Sequence, residues 1–239
     1  MHFSTAINHW ITQRRSEGYS PYTLQAYQLQ LGLLLRHTGD VDIETITLET
    51  LREYIAGPAS ERRKLSTIAH RIRVIRSFFS WLVNEGHLGK SPAARLREPK
   101  LGARIPKALP FEDLELLRDA CRTAREHALI EALFATGCRA LELSTIQRPD
   151  VDWERRSIIV LGKGSKEREV YFGARAGMWL RRYLSERMDD CPYLFATERR
   201  PIRRLMPHQL WYLVKGIGAR AGLRERVWPH RLRHTPTRR

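Results

Sequence analysis

Three short stretches carry residue types that could act together on a phosphate. The first is Thr136-Gly137-Cys138-Arg139-Ala140-Leu141-Glu142. An arginine just past a glycine, opening a helix, can point into a cleft. Glu142 lies three positions on, shares its helical face, and can hold the guanidinium by hydrogen bonds. Taken alone, the pair fits an exposed i,i+3 ion pair equally well. The second is Lys163, between Gly162 and Gly164 at a turn. It can swing a donor toward a substrate atom, although a lone turn lysine is more often simply solvated. The spacing of a nucleotide phosphate loop is absent. The third is Pro229-His230-Arg231-Leu232-Arg233-His234. His230 and Arg233 share a helical face and could offer a proton donor or acceptor and a fixed cation to one phosphate. His230 and His234 have a metal-ligand spacing, but no glutamate lies between them and no third ligand is evident, so no metal is expected.

The charge distribution points to a polyanion. The 239 residues hold 42 Lys+Arg against 26 Asp+Glu, a formal net charge of +16. Two segments concentrate the excess. Residues 62–107 contain 12 Lys/Arg and 2 acids, and residues 199–239 contain 12 and 1. Such basic segments on a mildly acidic background suit nucleic acid, with a solvated basic surface as the plainer alternative. Arginine outnumbers lysine, which favours bidentate phosphate contacts. No run of 18 apolar residues suggests a membrane span, and the N-terminus lacks a signal-peptide pattern, so a cytoplasmic protein is expected. The three cysteines, Cys121, Cys138 and Cys191, form no CxxC pair and are expected to be reduced.

The elements that must position these residues are mostly helical. Ser20-Pro21 reads as a cap followed by proline in the first turn, then Leu24, Tyr27, Leu31 and Leu34 recur at helical spacing up to Gly39. A shorter helix runs from about Thr47 to Gly57. Ile68, Ile72, Ile75, Phe79 and Leu82 form one apolar stripe that ends at Gly86, with Arg73, Arg76 and Ser80 on other faces. Arg62, Arg63 and Lys64 precede that stripe. Residues 96–107 follow, rich in proline and basic side chains with no periodicity, and read as an interdomain linker. Lys100, Arg104 and Lys107 on it could strap against DNA phosphates. Further on, helices are expected near 109–114, 128–136, 174–187 and 207–221. The period changes at Ser157–Leu161 and Glu167–Phe172, which read as two strands of a β-hairpin. Trp211 and Tyr212 are expected to pack in the core.

The order of the pieces is more informative than any one of them. Arginine after Thr-Gly, lysine in a β-turn and then His-x-x-Arg-His resembles the tyrosine recombinases: lambda-type integrases, integron integrases and chromosome dimer-resolution recombinases. TGCRALELSTIQRPDVDW, IIVLGKGSKEREVYF and PHRLRHT are the stretches that carry the resemblance. It implies a two-domain chain. Residues 1–95 would be a helical core-binding bundle that clamps DNA, and 108–239 a mixed α+β catalytic domain. It implies catalytic roles for Arg139, Lys163, His230 and Arg233, with Glu142 supporting Arg139 from behind. Lys163 would act as general acid toward the leaving 5′-oxygen. Such enzymes need neither metal nor ATP, because a phosphotyrosine bond stores the energy of the broken phosphodiester. Expected partners are double-stranded DNA and other recombinase protomers in a tetrameric synapse. Arg62, Arg63, Lys64, Arg73, Arg76, Lys100, Arg104 and Lys107 are the expected DNA contacts.

The resemblance also implies a tyrosine nucleophile after the His-x-x-Arg-His motif. In these 239 residues none follows Arg233, and Pro236 interrupts the helical pattern. The expectation is therefore a polypeptide that binds DNA but lacks the nucleophile, with a catalytic unit incomplete at its C-terminal side. A second expectation, from a different class, is a non-catalytic regulator that occupies recombination sites.

Overall fold

A computed structural model describes residues 1–57, 63–102, 108–162, 166–223 and 227–234. The chain divides into two compact units, Met1–Ala103 and Arg104–Arg239. The architecture is mostly helical with one small antiparallel sheet.

The first unit is a helical bundle of α1 (Phe3–Ser16), α2 (Pro21–Thr38), α3 (Leu48–Ala56) and α4 (Leu65–Asn84). Local chemistry sets its boundaries. The Ser20 hydroxyl accepts the Thr23 N–H at the start of α2, and the Thr47 hydroxyl accepts the Thr50 N–H at the start of α3. Each such cap contributes about 1 kcal/mol. Gly39 ends α2 at φ 74°, in the left-handed region that favours glycine. Phe3, Ile7, Trp10 and Ile11 turn one face of α1 inward. Phe78 of α4 sits among Phe3, Trp10, Phe79 and Trp81, with ring centroids 5.3–6.1 Å apart. The apolar stripe of α4 faces this core, and Arg73, Arg76 and Ser80 are exposed, as the periodicity requires. Arg71 differs from them. It is buried, with its guanidinium over the Tyr54 ring at 4.9 Å and its Nε donating to Gln30. Ala93 and Leu96 pack into this same core. Leu96, the first residue of the expected linker, is thus anchored in the first unit.

The second unit is built around α6 (Ala124–Thr136), which is buried on nearly every side. It packs against α5 (Phe111–Asp119), α8 (Ala174–Ser185), α9 (Pro207–Arg220), α10 (Pro229–His234) and the sheet. Alanines at 128 and 132 let those neighbours approach, while Leu129, Ile130 and Leu133 fill the space between them. The short helix α7 (Ala140–Thr145) follows α6 after a tight turn. The sheet has the order β1 (Val151–Asp152), β2 (Ser157–Leu161), β3 (Glu167–Tyr171), all antiparallel. Ile158 pairs with Val170 and Val160 with Arg168. The hairpin stands where the change of period placed it. β1, two residues long, is too short to leave a periodic signal. Gly162 N–H donates to the Lys166 carbonyl at 2.7 Å and closes the hairpin beside its turn.

One packing expectation is corrected. Tyr212 is 64% exposed and Trp211 36%. On α9 the inward face is taken by Leu210, Val214 and Ile217. At 100° per residue, position 212 falls on the far side and position 211 on the flank, and the two rings meet edge-on at 5.3 Å.

Candidate active site

The site begins where α6 ends. Gly137 takes a left-handed conformation, φ 58°, and turns the chain sharply. The Thr136 hydroxyl donates to the Ala132 carbonyl at 2.6 Å and accepts the Cys138 N–H at 3.3 Å, which ties the turn to the helix. Cys138 is buried beneath it, and burial pushes its thiol pKa up. The turn delivers Arg139 to the first position before α7, with Glu142 one helical turn along.

Glu142 is the hub. Its side chain is only 4% exposed. Oε1 accepts from Arg139 Nη1 at 2.6 Å, and Oε2 accepts from the Arg139 backbone N–H at 2.8 Å. Oε2 also accepts from Arg168 Nη2 at 2.6 Å. Arg233 Nη1 completes the group, 3.7 Å from Oε2. Burial alone would raise the Glu142 pKa. The hydrogen bonds from the Arg139 backbone and guanidinium, with the Arg168 charge, outweigh it and hold the carboxyl below its ordinary value.

Three guanidiniums on one carboxylate leave a surplus of about two positive charges, counting each group at full charge. The contrast within the same unit is informative. Glu131 is buried too, and Arg118 and Arg175 pair with it, but Glu115 joins both arginines and balances that cluster. Around Glu142, among the described residues, no second carboxylate does so. The Arg139 side chain is 53% exposed, Arg168 38% and Arg233 24%. A buried acid therefore fixes a cationic face that reaches solvent and suits an anion.

α10 brings the C-terminal motif to the same place. It packs on α6, with Leu232 fully buried and Arg231 held over the Trp228 ring. That fixes the helix so that Arg233 turns toward Glu142. Gly137 lies beside it, and a Cβ there would sit 3.8 Å from Arg233 Cγ. His230, on the same helix, is exposed. The structure thus brings Arg139, Glu142 and Arg233 together from positions up to 94 residues apart.

Arg168 went unflagged in the sequence, although a signal existed. Within β3 it alternates with exposed Glu167 and Glu169 and shares its face with buried Val170. A charged side chain at an inward strand position asks for a buried partner. Lys163, Arg62, Arg104, Lys107 and residues 235–239 lie outside the described residues. Arg63, Lys64, Arg73, Arg76 and Lys100 belong to the first unit and are exposed. Among the described residues no group of three His, Cys, Asp or Glu side chains could hold a metal ion, and no helix is long and apolar enough to cross a membrane.

A helical bundle followed by an α-rich unit with a three-stranded antiparallel sheet is the build of the integrase fold. Structures of lambda integrase share it. One, a dimer bound to a COC′ core site, superposes with a TM-score of 0.81 at 17% identity, covering 100% of this chain and 89% of that one. Another, a tetramer bound to a Holliday junction, gives 0.80 at 16% identity, covering 100% and 72%. In sequence, residues 107–239 match the phage integrase family and residues 8–86 the phage integrase N-terminal SAM-like domain. Tyrosine recombinase XerC of Corynebacterium glutamicum is 34% identical over 227 residues, 91% of this chain and 72% of that protein. XerC of Alcanivorax borkumensis is 30% identical over 243 residues, 97% and 78%. The chain belongs to the phage integrase family of tyrosine recombinases.

Proposed function

We propose that this protein grips duplex DNA and clamps one backbone phosphate between Arg139 and Arg233, within a site-specific recombination reaction. The observation that carries the reading is the uncompensated arginine cluster on Glu142. Two guanidiniums flanking a scissile phosphate stabilise the charge of its pentacoordinate transition state by position and electrostatics, with no metal. In this reading His230, three residues before Arg233 on α10, exchanges a proton with a phosphate oxygen, and Lys163 protonates the leaving 5′-oxygen. Glu142 orients the clamp and does not touch substrate.

In this reading residues 1–95 form the DNA-gripping domain, 96–107 a basic strap and 108–239 the phosphate-handling domain. α4 exposes Arg73 and Arg76 and contains no acid, so its exposed face suits DNA. Arg63, Lys64, Arg73, Arg76 and Lys100, with Arg62, Arg104 and Lys107, contact the phosphate backbone. The partners are double-stranded DNA in the cytoplasm and further protomers, as in the Holliday-junction tetramer of lambda integrase.

The tyrosines of the second unit argue for a narrower role of this polypeptide. Tyr183 is buried and its hydroxyl accepts from Ala196 N–H. Tyr171 donates to Glu169, Tyr193 lies under Arg204, and Tyr212 stands on the outer face of α9. Among the described contacts none joins the Glu142 cluster. We infer that residues 1–239 by themselves bind DNA without cutting it.

The test is incubation with nicked suicide recombination substrates, read by mobility shift and by denaturing gel. Retarded native complexes with no protein–DNA adduct are expected, and a covalent band would overturn the binding-only role. Arg139→Ala and Arg233→Ala should weaken binding at the cleavage phosphate. If they matter no more than any exposed arginine, the clamp is wrong.

A further inference from the structure

We propose that Arg168 is a positioning residue for this clamp, which keeps the Arg233 guanidinium available to the phosphate by occupying Glu142 Oε2. The inference rests on the phosphate-clamp reading above. A carboxylate offers about four acceptor directions on its two oxygens. On Glu142 three are taken: Arg139 Nη1 on Oε1, and Arg139 N–H and Arg168 Nη2 on Oε2. Arg233 Nη1 approaches Oε2 but stops at 3.7 Å. That nitrogen is buried and has no hydrogen-bond partner.

A buried N–H left unpaired costs free energy, so it closes on an acceptor whenever one is open. Glu142 Oε2 is the acceptor within reach, and Arg168 holds it. β3 supplies the rigidity, since Arg168 is fixed in register opposite Val160 of β2. Without Arg168, Arg233 gains a vacant lone pair and a stronger electrostatic pull. It would then close on Glu142 and lose its orientation toward substrate. Arg168 thus acts through Glu142 and competes with Arg233 for one oxygen.

The experiment uses inorganic phosphate as probe. Side-chain Nε–H signals of Arg139 and Arg233, assigned with Arg139→Lys and Arg233→Lys, are followed by 15N NMR during phosphate titration of the 239-residue protein. Arg168→Gln should weaken the response of the Arg233 signal about tenfold, the scale of one charged hydrogen bond lost. Arg168→Lys should restore most of it. In a Glu142→Gln background, Arg168→Gln should add nothing, because the contested acceptor has lost its charge. That non-additivity separates positioning from general structural support, and if Arg168→Gln alone fails to fold, the comparison of Glu142→Gln with the double variant and of Arg168→Lys with the unaltered protein remains measurable.

An unchanged Arg233 response in Arg168→Gln, with Arg233→Lys still abolishing that signal, overturns the Arg168 assignment and leaves the clamp standing. So does full additivity with Glu142→Gln. If phosphate moves neither arginine signal in the unaltered protein, the clamp itself fails and Arg168 falls with it.

Discussion

Glu142 and Arg139 grip one another at two points. The carboxylate accepts the arginine's backbone N–H at 2.8 Å with one oxygen and its guanidinium at 2.6 Å with the other. The backbone bond fixes where α7 starts, and the side-chain bond fixes where the guanidinium points. A helix start and a cationic site are thus set by one buried acid.

Glu142→Gln should therefore cost about 1–3 kcal/mol of stability, the range for leaving buried donors poorly matched. It should also change the pH dependence. The folded carboxyl titrates below its ordinary value, so its contribution is complete above the unfolded pKa, about 4.3, and is lost as pH falls through the folded one. Urea unfolding from pH 7 to 3 should show the two proteins converging at the acid end. A constant difference across that range would contradict the assignment.

At Gly137 the obstacle to a side chain is conformational. An added Cβ meets only ordinary contact with Arg233, at 3.8 Å, but φ is 58°. Gly137→Ala should cost about 1–2 kcal/mol, and Gly137→Asn less, because asparagine tolerates the left-handed region. Thermal melts rank the two. Equal losses would mean crowding, and not backbone strain, dominates.

On α4 two neighbouring arginines should behave differently. Arg73 already pairs with Glu98, at 3.3 Å, whereas no ion pair is found for Arg76 among the described residues. Binding to duplex DNA should be steeply salt-dependent, losing roughly 0.9 in the log–log slope for each phosphate contact removed. Arg76→Ala should flatten that slope by about one. Arg73→Ala should change it less, since Glu98 already offsets part of its charge. Fluorescence anisotropy between 50 and 300 mM salt, a working range chosen around the ~8–10 Å screening length, gives both slopes. Identical slopes for all three proteins would remove α4 from the DNA contacts.

The cysteines make a further check on the second unit. Burial, with the Glu126 charge, pushes Cys121 up to about 12, and burial raises Cys138 as well. At pH 8 Cys121 should hold on the order of a thousandfold less thiolate than a free thiol. A thiol reagent should leave Cys121 and Cys138 largely unmodified in the native protein and reach all three cysteines after unfolding. Rapid native labelling of Cys138 would mean that the turn below Arg139 opens.

Much of this was legible in the residues themselves. Ser20 and Thr47 announced their helices because a hydroxyl at a cap satisfies a backbone donor locally. The α4 stripe and the hairpin announced themselves by periods of 3.6 and 2. The ordered motifs around Arg139, Lys163 and His230–Arg233 pointed to the family without any fold. All of these are short-range or strictly ordered properties of the chain, so the sequence alone determines them.

Tertiary structure decided what depends on neighbours distant in sequence. The pairing of Glu142 with Arg168 and Arg233 links residues 26 and 91 positions apart, and no local pattern encodes it. Arg71 looked like its exposed neighbours Arg73 and Arg76 until Tyr54 and Gln30 were seen to enclose it. Tyr212 looked like core until α9 turned it outward. Leu96 looked like linker until the first unit buried it. Each case turns on which surface a side chain meets after packing, and burial is a property of the assembled chain.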